Sequence, residues 1–107
     1  MESEVLKKMH RRMIKSFMDI LILAELRNVP MSGYDVIAYI HTKFGILVSS
    51  GTVYSLLYSM ERDDLIRGIW AKRKRVYELT EKGERNIEAI LNANDKIKVL
   101  MTNLLTR

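Results

Sequence analysis

Apolar and polar positions follow two rhythms along this chain, one helical and one extended. Met13, Phe17, Ile20, Leu21, Ala24 and Leu26 keep close to three-and-four spacing, and Asn28-Val29-Pro30 stops the run, which predicts a helix. Ser16 with Asp19 three residues on offers a helix start, so residues 1–12 form either a separate helix or an extension of this one. Val5, Leu6, Met9 and Met13 share one face of that segment. A second helix is expected from Ser32, with Asp35 in its first turn and Tyr34, Ile37, Ala38 and Ile40 facing inward. It should close at Phe44-Gly45, where glycine takes the left-handed conformation. An extended link, Ile46-Leu47-Val48, leads to a third helix at about residues 50–62, with Val53, Leu56, Leu57 and Met60 as its inner stripe.

Beyond Asp63-Asp64 the rhythm changes. Leu65-Ile66-Arg67-Gly68-Ile69-Trp70 and Val76-Tyr77-Glu78-Leu79 read as strands flanking the basic cluster Lys72-Arg73-Lys74-Arg75. Thr80 then caps a last helix reaching to about Leu105. Ile87, Ile90, Asn94, Ile97, Met101 and Leu104 alternate steps of three and four, a coiled-coil seam that Leu91, Leu100 and Leu105 widen. A continuous helix of about 24 residues would span about 36 Å. Its far end should protrude and need a partner, with Asn94 as a polar residue that fixes register.

The expected architecture is mostly α with a small β wing, a winged helix-turn-helix domain with a long C-terminal dimerisation helix. Three segments follow: an N-terminal basic helix at 1–15, supporting the body or a dimer; the winged domain at 16–80; and the dimerisation helix at 81–107.

Charge sharpens the picture. Lys and Arg number 18 against 13 Asp and Glu, a formal charge of +5. Five of the 18 lie between Lys7 and Lys15 and four more at Lys72–Arg75, which points to a polyanionic partner. The absence of cysteine excludes disulfides and thiolate sites. His10 and His41 have no metal-ligand spacing, and no nucleophile–base set or phosphate loop is present. No enzyme activity, metal or cofactor is therefore expected. Ile20 to Ala24 is too short an apolar run for a membrane span, so a cytoplasmic protein is expected.

A helix with a small polar N-terminal turn, followed by a hairpin with a cationic tip, suits a DNA duplex. Ser49, Ser50, Gly51 and Thr52 are caps or phosphate donors. Tyr54, off the inner stripe, is a candidate base or backbone contact, with Ser55 and Tyr58 on the same helix. Lys72, Arg73, Lys74 and Arg75 are candidate phosphate or minor-groove contacts, although Arg75 could pair with a carboxylate instead. Arg67 and Lys43 complete the set; the alternative for Lys43 is a partner of the helix dipole. Trp70 is expected to support the wing, and Tyr34 and Tyr77 to belong to the core.

Five fragments in order resemble the PadR-type transcriptional regulators: Asp19-Ile20-Leu21-Ile22-Leu23, Pro30-Met31-Ser32-Gly33-Tyr34-Asp35-Val36, Ser50-Gly51-Thr52-Val53-Tyr54, Leu57 with Glu61 and Leu65-Ile66, and Arg75-Val76-Tyr77-Glu78-Leu79-Thr80-Glu81-Lys82-Gly83. Ser55 departs from the proline common in that family, and Ser32 from the histidine. The resemblance implies a homodimeric, sequence-specific regulator of double-stranded DNA, commonly a repressor. The third helix would enter the major groove and the wing at about 71–75 would lie on the backbone or in the minor groove. Ile87, Ile90, Leu91, Asn94, Ile97, Met101 and Leu104 would form the dimer interface. Such relatives often respond to phenolic or drug-like ligands at that interface, yet no aromatic residue lies in this last helix to support an effector site. Two other classes compete: a chromatin-like protein that coats DNA without reading it, and a winged-helix protein-interaction module that binds no DNA.

Overall fold

A computed structural model describes residues 3–106; residues 1, 2 and 107, which the expected segments 1–15 and 81–107 include, lie outside the described residues. The order is α1 (Glu4–Ser16), α2 (Met18–Leu26), β1 (Met31–Ser32), α3 (Gly33–Phe44), α4 (Ser50–Arg62), β2 (Ile66–Ala71), β3 (Lys74–Leu79), α5 (Glu81–Asn92) and α6 (Asn94–Leu105). The first two helices are separate and meet at Phe17. Ser16 ends α1 rather than capping α2, because the Asp19 carboxylate accepts from the Ile20 N–H next to it and no side chain caps α2.

Side chains cap the starts of α1, α3, α4 and α5. Ser3 caps α1, and Ser32 and Asp35 form a reciprocal capping box at α3. Gly45, at φ 70°, closes α3 through its N–H to the His41 carbonyl. Ser49 Oγ accepts from the Thr52 N–H at α4. Thr80 Oγ1 accepts from the Gly83 N–H and donates to the Asp64 carbonyl at 2.6 Å, which holds α5 to the turn after α4.

The three strands form an antiparallel sheet in the order β1-β3-β2. Met31 pairs with Tyr77 and Ser32 with Val76, so the segment read as a helix cap is also an edge strand. The hairpin runs from Ile66↔Leu79 to Ala71↔Lys74, leaving Lys72 and Arg73 alone in the turn. Both have positive φ, 50° and 70°, as a type I′ hairpin demands. The tip is thus two residues rather than four, and Lys74 and Arg75 belong to β3.

One core joins every element except α6: Ile14 of α1, Met18, Ile22, Leu23 and Leu26 of α2, Met31 of β1, Val36 and Ile40 of α3, Val53, Leu57 and Met60 of α4, Ile66 of β2, Tyr77 of β3 and Ile87 of α5, with Ile46 of the link between α3 and α4. Ile87 is 0% exposed, so it packs inside its own chain and is not an interface residue. The reason lies at Gly83. A Cβ there would overlap the Leu65 carbonyl, so glycine lets α5 approach closely enough to bring Ile87 into the core.

Four further expectations are corrected. The last helix breaks at Ala93, and α5 and α6 replace the single rod. Asn94 therefore stands exposed in the first turn of α6 rather than mid-seam. Tyr34 is 76% exposed and lies outside the core, whereas Tyr77 is buried. Trp70 projects from the edge strand at 73% exposure and supports no packing. Helix α6 buries none of its residues and α1 only Ile14. This accounts for the elongated shape, 51 × 28 × 21 Å with a radius of gyration of 15.2 Å, where about 13 Å suits a compact domain of this length.

Candidate nucleic-acid interface

Helix α4 is amphipathic by design of its sequence: Val53, Leu57 and Met60 bury one face, which turns Ser50, Gly51, Thr52, Tyr54, Ser55 and Tyr58 outward. The Ser49 cap consumes one N–H, that of Thr52. Helices α1, α2, α3, α5 and α6 each carry an acidic residue in the first turn, and α4 carries none. Its positive dipole end is therefore not neutralised locally, and it suits an anion. Tyr54 is only half free. Its ring lies against Gly33, where a Cβ would overlap it, so the start of α3 positions the phenol.

The cationic residues of the wing divide into two groups. Arg67 donates to Glu78 at 2.7 Å across the hairpin. Lys74 Nζ lies 3.6 Å from the Asp35 carboxylate at the start of α3. Arg75 donates to Glu61 of α4 at 2.5 Å, lies over Gly68, and has its guanidinium 5.7 Å from the Tyr77 ring. Glu61 holds the Arg75 guanidinium above its ordinary pKa. The same Glu61 oxygen accepts from the Gly68 N–H at 3.1 Å, so one carboxylate ties α4 to both β2 and β3. Lys72 and Arg73, by contrast, make no ion pair among the described residues. Lys43 sits 5.6 Å from the centroids of both Tyr39 and Phe44, so its ammonium is engaged within α3's own last turn.

Of the expected contacts, then, the structure leaves Lys72 and Arg73 without an ion-pair partner among the described residues, brings the α4 residues together on one exposed face, and gives Arg67, Lys74, Arg75 and Lys43 internal partners. Sequence patterning assigns Asp35 only to the dipole of its own helix and gives Glu61 and Gly33 no role. Asp35 accepts from the Ser32 N–H at 2.9 Å, and that backbone hydrogen bond, with Lys74 adding to it, holds its carboxyl below the ordinary aspartate value. Of the expected interface positions other than Ile87, Ile90 and Met101 are half-buried, whereas Leu91, Ile97 and Leu104 are exposed. Helix α1 adds Val5, Leu6, Met9 and Met13, all exposed.

Helices α3 and α4 joined by a short link, with a hairpin wing hung on the second, define a winged-helix protein. The model of the Transcriptional regulator PadR-like family matches residues 22–89, and the chain belongs to that family. It is similar to a PadR-like transcriptional regulator from Bacillus cereus, with a TM-score of 0.75, 24% identity, and coverage of 90% of this chain and 98% of that one. A PadR family transcription regulator from Clostridium difficile superposes with a TM-score of 0.71 at 26% identity, over 84% of this chain and 99% of that one. Bacillus subtilis PadR, solved in complex with operator DNA, matches with a TM-score of 0.60 at 25% identity over 69% of this chain and 47% of its own, so the likeness spans about half of that protein. No curated protein matches the chain. Among the described residues no helix is long and apolar enough to cross a membrane.

Proposed function

We propose that this chain is a sequence-specific repressor that binds double-stranded DNA as a homodimer. Helix α4 enters the major groove and reads base edges through Thr52, Tyr54, Ser55 and Tyr58, while Ser50 and Gly51 meet phosphate at its N-terminal turn. Lys72 and Arg73 neutralise phosphates beside the groove. The observation that carries the reading is the first turn of α4, capped by Ser49, exposed, and alone among the helices in lacking an acidic residue. Bacillus subtilis PadR, solved in complex with operator DNA, supports DNA as the partner. The exposed apolar residues of α1 and α6, with Leu91 beside them, supply the surface for a second copy, which would set two α4 helices about one DNA turn, about 34 Å, apart.

Selection of bound duplexes from a random DNA pool tests this directly. Enrichment of an inverted repeat with half-sites one turn apart is expected, together with a dimer in sedimentation. Binding to every duplex without enrichment would mark a coating protein instead. Lack of binding at low salt would leave only a protein-interaction module.

A further inference from the structure

We propose a second DNA-backbone contact, a basic furrow between α1 and the link that joins α3 to α4. It rests on the reading above and extends it to residues that the winged-helix core does not include. Lys7, Arg11 and Lys15 lie at intervals of four residues on one stripe of α1. Three adjoining depressions run along that stripe. The first is bounded by Lys7, Arg11 and Phe44, the second by Arg11, Lys15 and His41, and the third by Lys15, Val48, Ser49 and Thr52. Arg11 is common to the first two and Lys15 to the last two, so they join into one furrow that ends at the capped first turn of α4.

No acidic residue lines any part of it. Arg11 and Lys15 make no ion pair among the described residues, and Lys7 has only Glu4 at 3.6 Å, with both side chains more than half exposed. Uncompensated cations that lead into an uncompensated helix N-terminus make one continuous anion track. Two four-residue steps of helix advance about 12 Å, and a DNA strand carries one phosphate per about 3.4 Å of axis. Successive phosphates also turn about the axis, which makes their separation along the strand nearly twice that rise. Three cations about 6 Å apart thus meet consecutive phosphates of a strand that leaves the major groove beside α4. The apolar residues Val5, Met9 and Met13 lie two positions away from Lys7, Arg11 and Lys15, nearly opposite on the helix wheel, so a second copy seated on them leaves the furrow open.

Helix α1 contains its own control. Lys8 and Arg12 carry the same charge on the same helix, yet they do not line the furrow. Arg11→Ala/Lys15→Ala and Lys8→Ala/Arg12→Ala therefore remove equal charge from neighbouring stripes. Binding of each full-length variant to the pool-selected duplex is measured across a salt series. The furrow variant should lower the slope of log K against log salt by about 1.8, at roughly 0.9 per phosphate contact, while the control stays close to wild type. Discrimination between the selected duplex and a random one should be unchanged, and Arg11→Lys/Lys15→Arg should restore the slope.

Equal losses in the two double variants would reduce the effect to net charge and overturn the furrow. So would an unchanged slope in the furrow variant, or its loss of binding only to vesicles of phosphatidylserine and phosphatidylcholine. A wild-type chain that binds no duplex would overturn the proposed function itself, a result distinct from wild-type binding that ignores Arg11 and Lys15.

Discussion

The wing tip is built from the wrong residues for its backbone, and the cost should be measurable. Type I′ turns favour Asn-Gly because both central residues take positive φ, yet Lys72 and Arg73 occupy them at 50° and 70°. A side chain held in that region costs roughly 1–2 kcal/mol per residue. Lys72→Asn/Arg73→Gly should relieve most of this, offset by roughly 0.5–1 kcal/mol for the freedom that glycine loses on folding. A net gain of about 1–2 kcal/mol is expected, which raises the melting temperature by about 5–10 °C in a domain of this size. The same change removes the two wing cations that make no ion pair among the described residues, so the salt slope of DNA binding should fall by about 1.8. Thermal melts at fixed protein concentration and a binding titration in several salts, run on the same preparation, test both signs. A variant that is less stable than wild type would refute the strain, and one that is more stable with an unchanged salt slope would refute the role of the tip. Strain kept at a contact site for its side chains is the pattern that links the two.

Four further outcomes follow from the packing. Ile87→Ala should destabilise by about 2–5 kcal/mol, by the same amount at every protein concentration, whereas Leu104→Ala should weaken only self-association; concentration-dependent melts separate them. Gly83→Ala should destabilise by about 1–3 kcal/mol, because the new methyl meets the Leu65 carbonyl backbone rather than a side chain that can move. Arg75→Ala should leave the salt slope of DNA binding unchanged, since Glu61 already holds that guanidinium; a fall of about 0.9 would make it a phosphate contact. The Asp35 carboxyl titrates below its unfolded value of 3.8, so its stabilising effect is complete above that pH and is lost as pH falls through the lower folded value. Asp35→Asn should accordingly flatten the acid limb of a stability–pH curve and leave the neutral limb parallel to wild type.

Local patterning in the chain was enough for most of the fold. Ser32, Gly45 and Ser49 act within three or four residues of themselves, and so does the Thr80 cap on Gly83, so both ends of α3 and the starts of α4 and α5 follow from local chemistry. The outward face of α4 was legible for the same reason, because its buried stripe repeats at helical spacing. What escaped was decided across distance. Periodicity could not tell whether Ile87 faces its own core or another copy, since both demand an apolar residue; the close approach at Gly83 chose the core. The run of four cations did not reveal that Lys74 and Arg75 are spent, because Asp35 and Glu61 come from two other elements, α3 and α4. A tip of only two residues would have set Arg67 opposite Glu78 by register, but the carboxylates of α3 and α4 reach the wing only once the sheet has packed. Residue order thus determined the elements and the polarity of their faces, through interactions a few residues long. Tertiary packing decided which charges remain free for a partner, because a cation is neutralised by whatever lies beside it in space.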